Sequence, residues 1–110
     1  MDLKTKTPPI DEPCCSLDIS GPDQKRLVSM FDGLANPVRF EIMKYLVTHE
    51  GCFTGNIVDI LPLAQSTVSQ HLATLEKTGW IRREPEGAAT SICLRRDNIA
   101  WFREWVGEIF

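Results

Sequence analysis

No apolar run in this 110-residue chain approaches the roughly 20 residues that span a membrane. Residues 1–13, MDLKTKTPPIDEP, lack the apolar centre of a secretory signal. Both absences point to the cytoplasm and to no membrane partner. In that compartment the four cysteines are expected as reduced thiols rather than a disulfide framework. There is no glycine-rich phosphate loop, and His49 and His71 have no nucleophile or carboxylate constellation around them. An enzyme is therefore not expected. Nothing repeats internally. Positive charge is outweighed: Lys and Arg number 12 against 15 Asp and Glu, and the net charge of −3 argues against a strongly basic nucleic-acid binder.

What is present is enough apolar residue, 43%, for one domain with a modest core. Residues 1–19 are polar, carry Pro8, Pro9 and Pro13, and set Lys4 and Lys6 against Asp2, Asp11, Glu12 and Asp18. They are expected as a flexible acidic arm, with the folded domain over residues 20–110. The distribution of charge matters more than its total. Residues 64–96 hold Lys77, Arg82, Arg83, Arg95 and Arg96 against Glu76, Glu84 and Glu86, a mildly basic region.

That region contains the organising stretch, LAQSTVSQHLATLEKTGW at residues 63–80. Val68, Leu72 and Leu75 recur at the period of a helix with one buried face. Gly79 follows as the left-handed residue that ends it. The opposite face carries Gln65, Ser66, Thr67, Ser69, Gln70, His71 and Thr74, short polar groups with almost no charge. Such amides and hydroxyls suit base edges and phosphates in a major groove. A plain amphipathic surface helix is the other reading of the same face. Context bears on the choice. Upstream, Gly55 to Leu61 reads as a short helix with Thr54 as its cap, followed by a turn at Pro62. Downstream, WIRREPEGAATSICL reads as two strands around Glu86-Gly87. Helix, turn, helix, hairpin is the order of a winged helix-turn-helix.

Three further helices are legible. Ser20 caps the first and Pro22 sits in its first turn, with Leu27, Met30, Phe31 and Leu34 as an apolar stripe. Asn36 caps the next and Pro37 opens it. This helix is expected to run to about Thr48 and to be the central buried one, with Arg39 structural or in reach of a phosphate. The last segment opens with Asp97 as cap and carries Ile99, Phe102, Trp105, Val106 and Ile109, with Trp101 and Phe110 beside them. So much aromatic surface on a small domain calls for a partner.

The blocks LANPVRFEI at residues 34–42, LAQSTVSQHL at 63–72 and LEKTGWI at 75–81 resemble the ArsR/SmtB family of metal-responsive repressors. The resemblance covers about Leu27 to Leu94. It implies a mainly α fold with a small β-hairpin, a winged helix-turn-helix in a helix-rich homodimer paired through its first and last helices. It implies a repressor of transcription bound to double-stranded operator DNA. The residues expected at the DNA are Gln65, Ser66, Thr67, Ser69, Gln70 and His71 for bases and phosphates, and Lys77, Arg82 and Arg83 for the backbone. The wing tip, Gly87-Ala-Ala-Thr, has no cation.

Cysteine placement bears on the inducer. Cys14 and Cys15 stand side by side in a polar arm with no core to fill; they are incidental surface thiols or a reactive pair. Cys52, ahead of the helix-turn-helix, reads as a small buried hydrophobe or as a thiol activated by a helix N-terminus. Cys93, between Ile92 and Leu94, reads as packing. The family's Cys-Val-Cys site and its Asp/His site on the last helix are both absent. The pattern resembles a third arrangement, a vicinal pair in the arm completed by Cys52 of the other protomer. Three thiolates suit trivalent arsenic or antimony as inducer. Zinc or cadmium with His49 as fourth ligand, thiol oxidation of Cys14, Cys15 and Cys52, and a protein-interaction module without DNA binding are the alternatives. No cofactor is expected for folding.

Overall fold

Proline and asparagine punctuate the start of the folded chain. In the computed structural model, residues 19–49, 51–87 and 89–110 are described; the arm with Cys14 and Cys15 lies outside them. Helix α1 spans Gly21–Leu34, with Pro22 in its first turn and Ser20 at the N-cap position, although the Ser20 side chain makes no capping bond. Helix α2 spans Pro37–Leu46, and Asn36 Oδ1 accepts from the amides of Val38 at 2.9 Å and Arg39 at 3.2 Å. That cap satisfies two of the amides that every helix start leaves open. The helix stops two residues short of Thr48. The chain tightens there, with Thr48 N donating to Tyr45 O and His49 N to Leu46 O.

The expected helix from Gly55 to Leu61 is a single 3₁₀ turn, Ile57–Asp59. Gly55, three β-branched residues (Ile57, Val58 and Ile60) and Pro62 leave too few helix-favouring residues to nucleate more. Its cap is Asn56, whose side chain accepts from Val58 N, and not Thr54.

Helix α3, Gln65–Lys77, buries Val68, Leu72 and Leu75 as its period requires. It ends in a full Schellman motif: Gly79 N donates to Glu76 O and Trp80 N to Leu75 O, with Gly79 at φ +96°. The motif turns the chain straight into strand β1, Ile81–Glu86, which pairs antiparallel with β2, Ala89–Leu94. The register sets Ile81 opposite Leu94 and Arg83 opposite Ile92. On the far edge of β2, Phe53 and Ile92 exchange two backbone hydrogen bonds of 2.8 Å, so the loop before the 3₁₀ turn is held to the hairpin.

Helix α4, Arg96–Ile109, starts one residue before the expected cap; Asp97 lies in the first turn, 3.7 Å from Arg95 Nε. An acidic group there still complements the helix dipole. Met30, Ile42, Leu46, Leu75, Trp80 and Ile81 form the centre of the core. Trp80 is its joint: Nε1 donates to Met30 O of α1 at 2.8 Å, and the ring meets Phe102 of α4 edge-on at 4.8 Å.

Gly33 shows how closely α1 passes the end of α3. A β-carbon there would collide with the Thr78 hydroxyl and come within 3.0 Å of the Trp80 ring. Thr78 cannot swing aside freely, because its buried hydroxyl donates to Thr74 O at 2.8 Å. Gly33→Ala is therefore expected to destabilise the fold by roughly 1–3 kcal/mol through overpacking. Denaturant unfolding checks this; an unchanged midpoint would contradict the close approach.

Candidate nucleic-acid interface

A helix presents residues three and four apart on one stripe. In α3 that stripe is Ser66, Ser69, Gln70, Ala73 and Lys77, with Gln65 at its start, and all six are exposed. The structure thus brings together Gln65, Ser66, Ser69, Gln70 and Lys77. Thr67, His71 and Thr74 lie on the flank, half-buried. The Thr74 hydroxyl donates to its own helix, to Gln70 O at 3.2 Å.

The face suits a polar, negatively charged partner for two physical reasons. Helix α3 begins after Ala64, and no side chain caps it, so its first-turn amides stay available to a phosphate oxygen. The exposed side chains offer amide and hydroxyl groups that both donate and accept, which base edges require. Between this face, the 3₁₀ turn and the hairpin lies an open cleft lined by Gln65, Ser69, Arg83 and Thr90.

The cations are less free than their number suggests. Arg83 Nε and Nη2 both reach Glu76 Oε1, at 3.0 and 2.9 Å, and Arg83 N donates to Glu76 Oε2 at 3.3 Å. That fork ties the root of the wing to α3. Arg82 pairs with Glu84 at 2.8 Å, but both are about half exposed. Such a pair is weak enough to yield to a phosphate. Arg39 is structural. Its Nε donates to Gly33 O at 2.7 Å and its Nη2 to Asp32 O at 3.2 Å, capping the end of α1. Its Nη1 lies 3.4 Å from His71 Nδ1. An arginine only donates, so this contact uses Nδ1 as the acceptor. His71 is thereby turned toward the scaffold. Neither the Glu76–Arg83 fork nor the Arg39–His71 contact was legible from spacing, since each joins residues on separate elements.

The cysteines depart from expectation. Cys52 and Cys93 are bonded as a disulfide, their α-carbons 4.3 Å apart. The reading of reduced thiols throughout, with Cys93 as packing alone, is corrected for this pair. Sequence distance hid it: 41 residues separate the two, and the Phe53–Ile92 bridge brings them together. Cys93 is buried, as a packing residue would be, whereas Cys52 is exposed. The expected helix N-terminus beside Cys52 is absent, since only the short 3₁₀ turn capped at Asn56 follows. His49 packs tilted against Tyr45 and edge-on against Phe53, with Nδ1 3.2 Å from Tyr45 O. Among the described residues no three His, Cys, Asp or Glu side chains gather as a metal site. Cys14 and Cys15 fall outside those residues, so the three-thiol set is not displayed.

Residues 34–84 match a family model described as a helix-turn-helix domain. An HTH-type transcriptional regulator of Methanocaldococcus jannaschii is 26% identical over 85 residues, 77% of this chain and 96% of its own length. Among solved structures, an ArsR family transcriptional regulator is similar with a TM-score of 0.68 at 22% identity, over 81% of this chain and 91% of its own. The cadmium metal-sensor CMTR from Mycobacterium tuberculosis is similar with a TM-score of 0.53 at 29% identity, over 68% and 76% of the two chains. The chain carries a helix-turn-helix domain in the winged fold seen in ArsR-family regulators. No helix among the described residues is long and apolar enough to cross a membrane.

Proposed function

We propose that this chain is a DNA-binding transcriptional repressor of the ArsR/SmtB type. It works as a homodimer on double-stranded operator DNA and is released by a thiophilic inducer. One observation carries the DNA reading: an uncapped helix start and a hydrogen-bonding stripe whose one charge is Lys77 lie together on the second helix of a helix-turn-helix. Gln65, Ser66, Ser69 and Gln70 face the bases and nearby phosphates. Thr67 and His71 sit at the margin. Lys77 and Arg82 meet the backbone, and Arg83 does so while holding the wing to α3. With so few free cations, affinity depends on salt less steeply than in a very basic protein. Gln70→Ala is expected to cost roughly 1–3 kcal/mol of operator affinity if it pairs with a base. Binding isotherms on the chain's own promoter DNA check this; unchanged affinity in both Gln70→Ala and Ser69→Ala would remove the assignment.

The dimer reading rests on α4. This helix buries no residue fully, and Trp101, Phe102, Trp105, Val106 and Ile109 are all half-exposed. Phe110 is 91% exposed, and Val28 and Phe31 of α1 add apolar surface. A second copy packed on α1 and α4 would cover this area. Phe102 also packs within the protomer, against Phe31 and Trp80, so Trp105 is the cleaner probe. Trp105→Ala is expected to shift sedimentation toward monomer without unfolding the chain. A wild type that sediments as monomer at micromolar concentration would overturn the dimer.

For the inducer, the reading is trivalent arsenic or antimony held by Cys14 and Cys15 of one arm and Cys52 of the other protomer. Soft sulfur ligands select thiophilic ions, and similarity to a cadmium sensor supports that chemistry in general. Zinc or cadmium with His49 as fourth ligand is weaker, because the His49 ring is already packed against Tyr45 and Phe53. Cys52 can ligate only as a free thiolate, so this reading requires the Cys52–Cys93 bond to be open. In fully reduced protein, Cys14→Ser, Cys15→Ser and Cys52→Ser should each abolish arsenite-driven release from DNA. A reduced Cys52→Ser protein that still responds fully would exclude the site.

A further inference from the structure

The geometry points to Cys52 and Cys93 as a reversible oxidation site whose closed form withdraws Cys52 from inducer binding. The oxidation site stands on the structure alone; the second half rests on the three-thiol reading above. Three observations favour a pair that opens and closes without unfolding the chain. The Phe53–Ile92 backbone hydrogen bonds lie beside the two sulfurs in sequence and hold the loop to β2 whether or not the sulfurs are joined. The thiols therefore stay neighbours when reduced. Cys52 is exposed, so an oxidant or reductant reaches one sulfur directly. Cys93 is 3% exposed, which protects it from outside reagents and leaves it to act as the resolving thiol.

The chemistry closes with a hydroperoxide as oxidant. The Cys52 thiolate attacks the terminal peroxide oxygen, a sulfur–oxygen bond forms and the oxygen–oxygen bond breaks. The leaving oxygen takes up a proton as water or alcohol. The Cys93 sulfur then attacks the sulfenic sulfur, the sulfur–sulfur bond forms, and hydroxide departs with the thiol proton as water. Two thiols lose two electrons and the peroxide gains them. A dithiol reductant reverses the process by exchange at the exposed Cys52 sulfur.

The same staple lies where the signal has to pass. Cys52 sits in the loop that leads into the helix-turn-helix, and Cys93 in the return strand of the wing. In the closed state Cys93 occupies the valence that a metalloid needs on Cys52. Peroxide is thus expected to make the repressor deaf to arsenite while it stays folded.

The test uses the full-length wild type, reduced with a dithiol and then treated with hydrogen peroxide. Peptide mapping by mass spectrometry should show Cys52 linked to Cys93, with the link absent in Cys93→Ser. Cys52 linked instead to Cys14 or Cys15, or left free, would overturn the oxidation site. In parallel, arsenite-driven release from promoter DNA is measured before and after peroxide. Response in the reduced protein, lost after peroxide and restored by dithiol, supports the gating. An unchanged response in protein that maps as fully linked overturns the gating. A reduced protein that ignores arsenite overturns the three-thiol reading and the gating with it, and the map still decides the oxidation site.

Discussion

One buried hydrogen bond sets the geometry of the reading head: the Trp80 indole donating to the Met30 carbonyl. A buried indole N–H without a partner is costly, so the ring has one good position. From there it fixes four elements at once. It is the residue after the Schellman turn of α3, the residue before β1, a contact of α1 through Met30, and an edge-on neighbour of Phe102 in α4. The surroundings are built to let it sit there. Gly79 supplies the left-handed turn, and Gly33 leaves the space a β-carbon would fill. Asn98 of α4 donates to Gly79 O at 2.9 Å and accepts from Arg26 of α1 at 2.7 Å, which braces the same corner from outside. The angle between the exposed stripe of α3 and the hairpin follows from this corner.

Charge is spent mostly within the fold. Arg83 is locked to Glu76, Arg39 to the end of α1, and Arg26 lies over Trp101 at 3.8 Å. What remains on the α3 face is hydrogen-bonding capacity with little charge. A reading head of that kind discriminates by the pattern of donors and acceptors more than by attraction to the phosphate backbone. The acidic balance of the whole chain fits this division, since nonspecific electrostatic affinity is kept low.

Local signals told most of the architecture. Asn36-Pro37, the Val68–Leu72–Leu75 period, Gly79 and the Glu86-Gly87 turn each act over a few residues, so α2, α3 and the hairpin are legible in the sequence. The places where the sequence misled have two kinds of cause, one local and one tertiary. The segment Gly55 to Leu61 has the apolar spacing of a helix but too few turns to pay the nucleation cost, and it closes as a 3₁₀ turn around Asn56. Asp97 looks like a cap, yet α4 begins a residue earlier, directly after Arg95, whose N–H donates to Trp80 O across the fold. Cys52 and Cys93, Arg39 and His71, and Glu76 and Arg83 meet only through tertiary packing. Nothing in their spacing announces it. The candidate DNA face was legible as a set, but which of its members are turned inward was not.

The central claim is that the exposed stripe of α3 enters the major groove of a specific duplex. Methylation protection on the chain's own promoter DNA tests it most directly, because dimethyl sulfate reports guanine N7 in the major groove and adenine N3 in the minor groove. The account predicts protected guanines in two clusters about one helical turn apart, with minor-groove adenines between them still reactive. Protection confined to the minor groove, or none at protein concentrations that saturate the DNA, would contradict it.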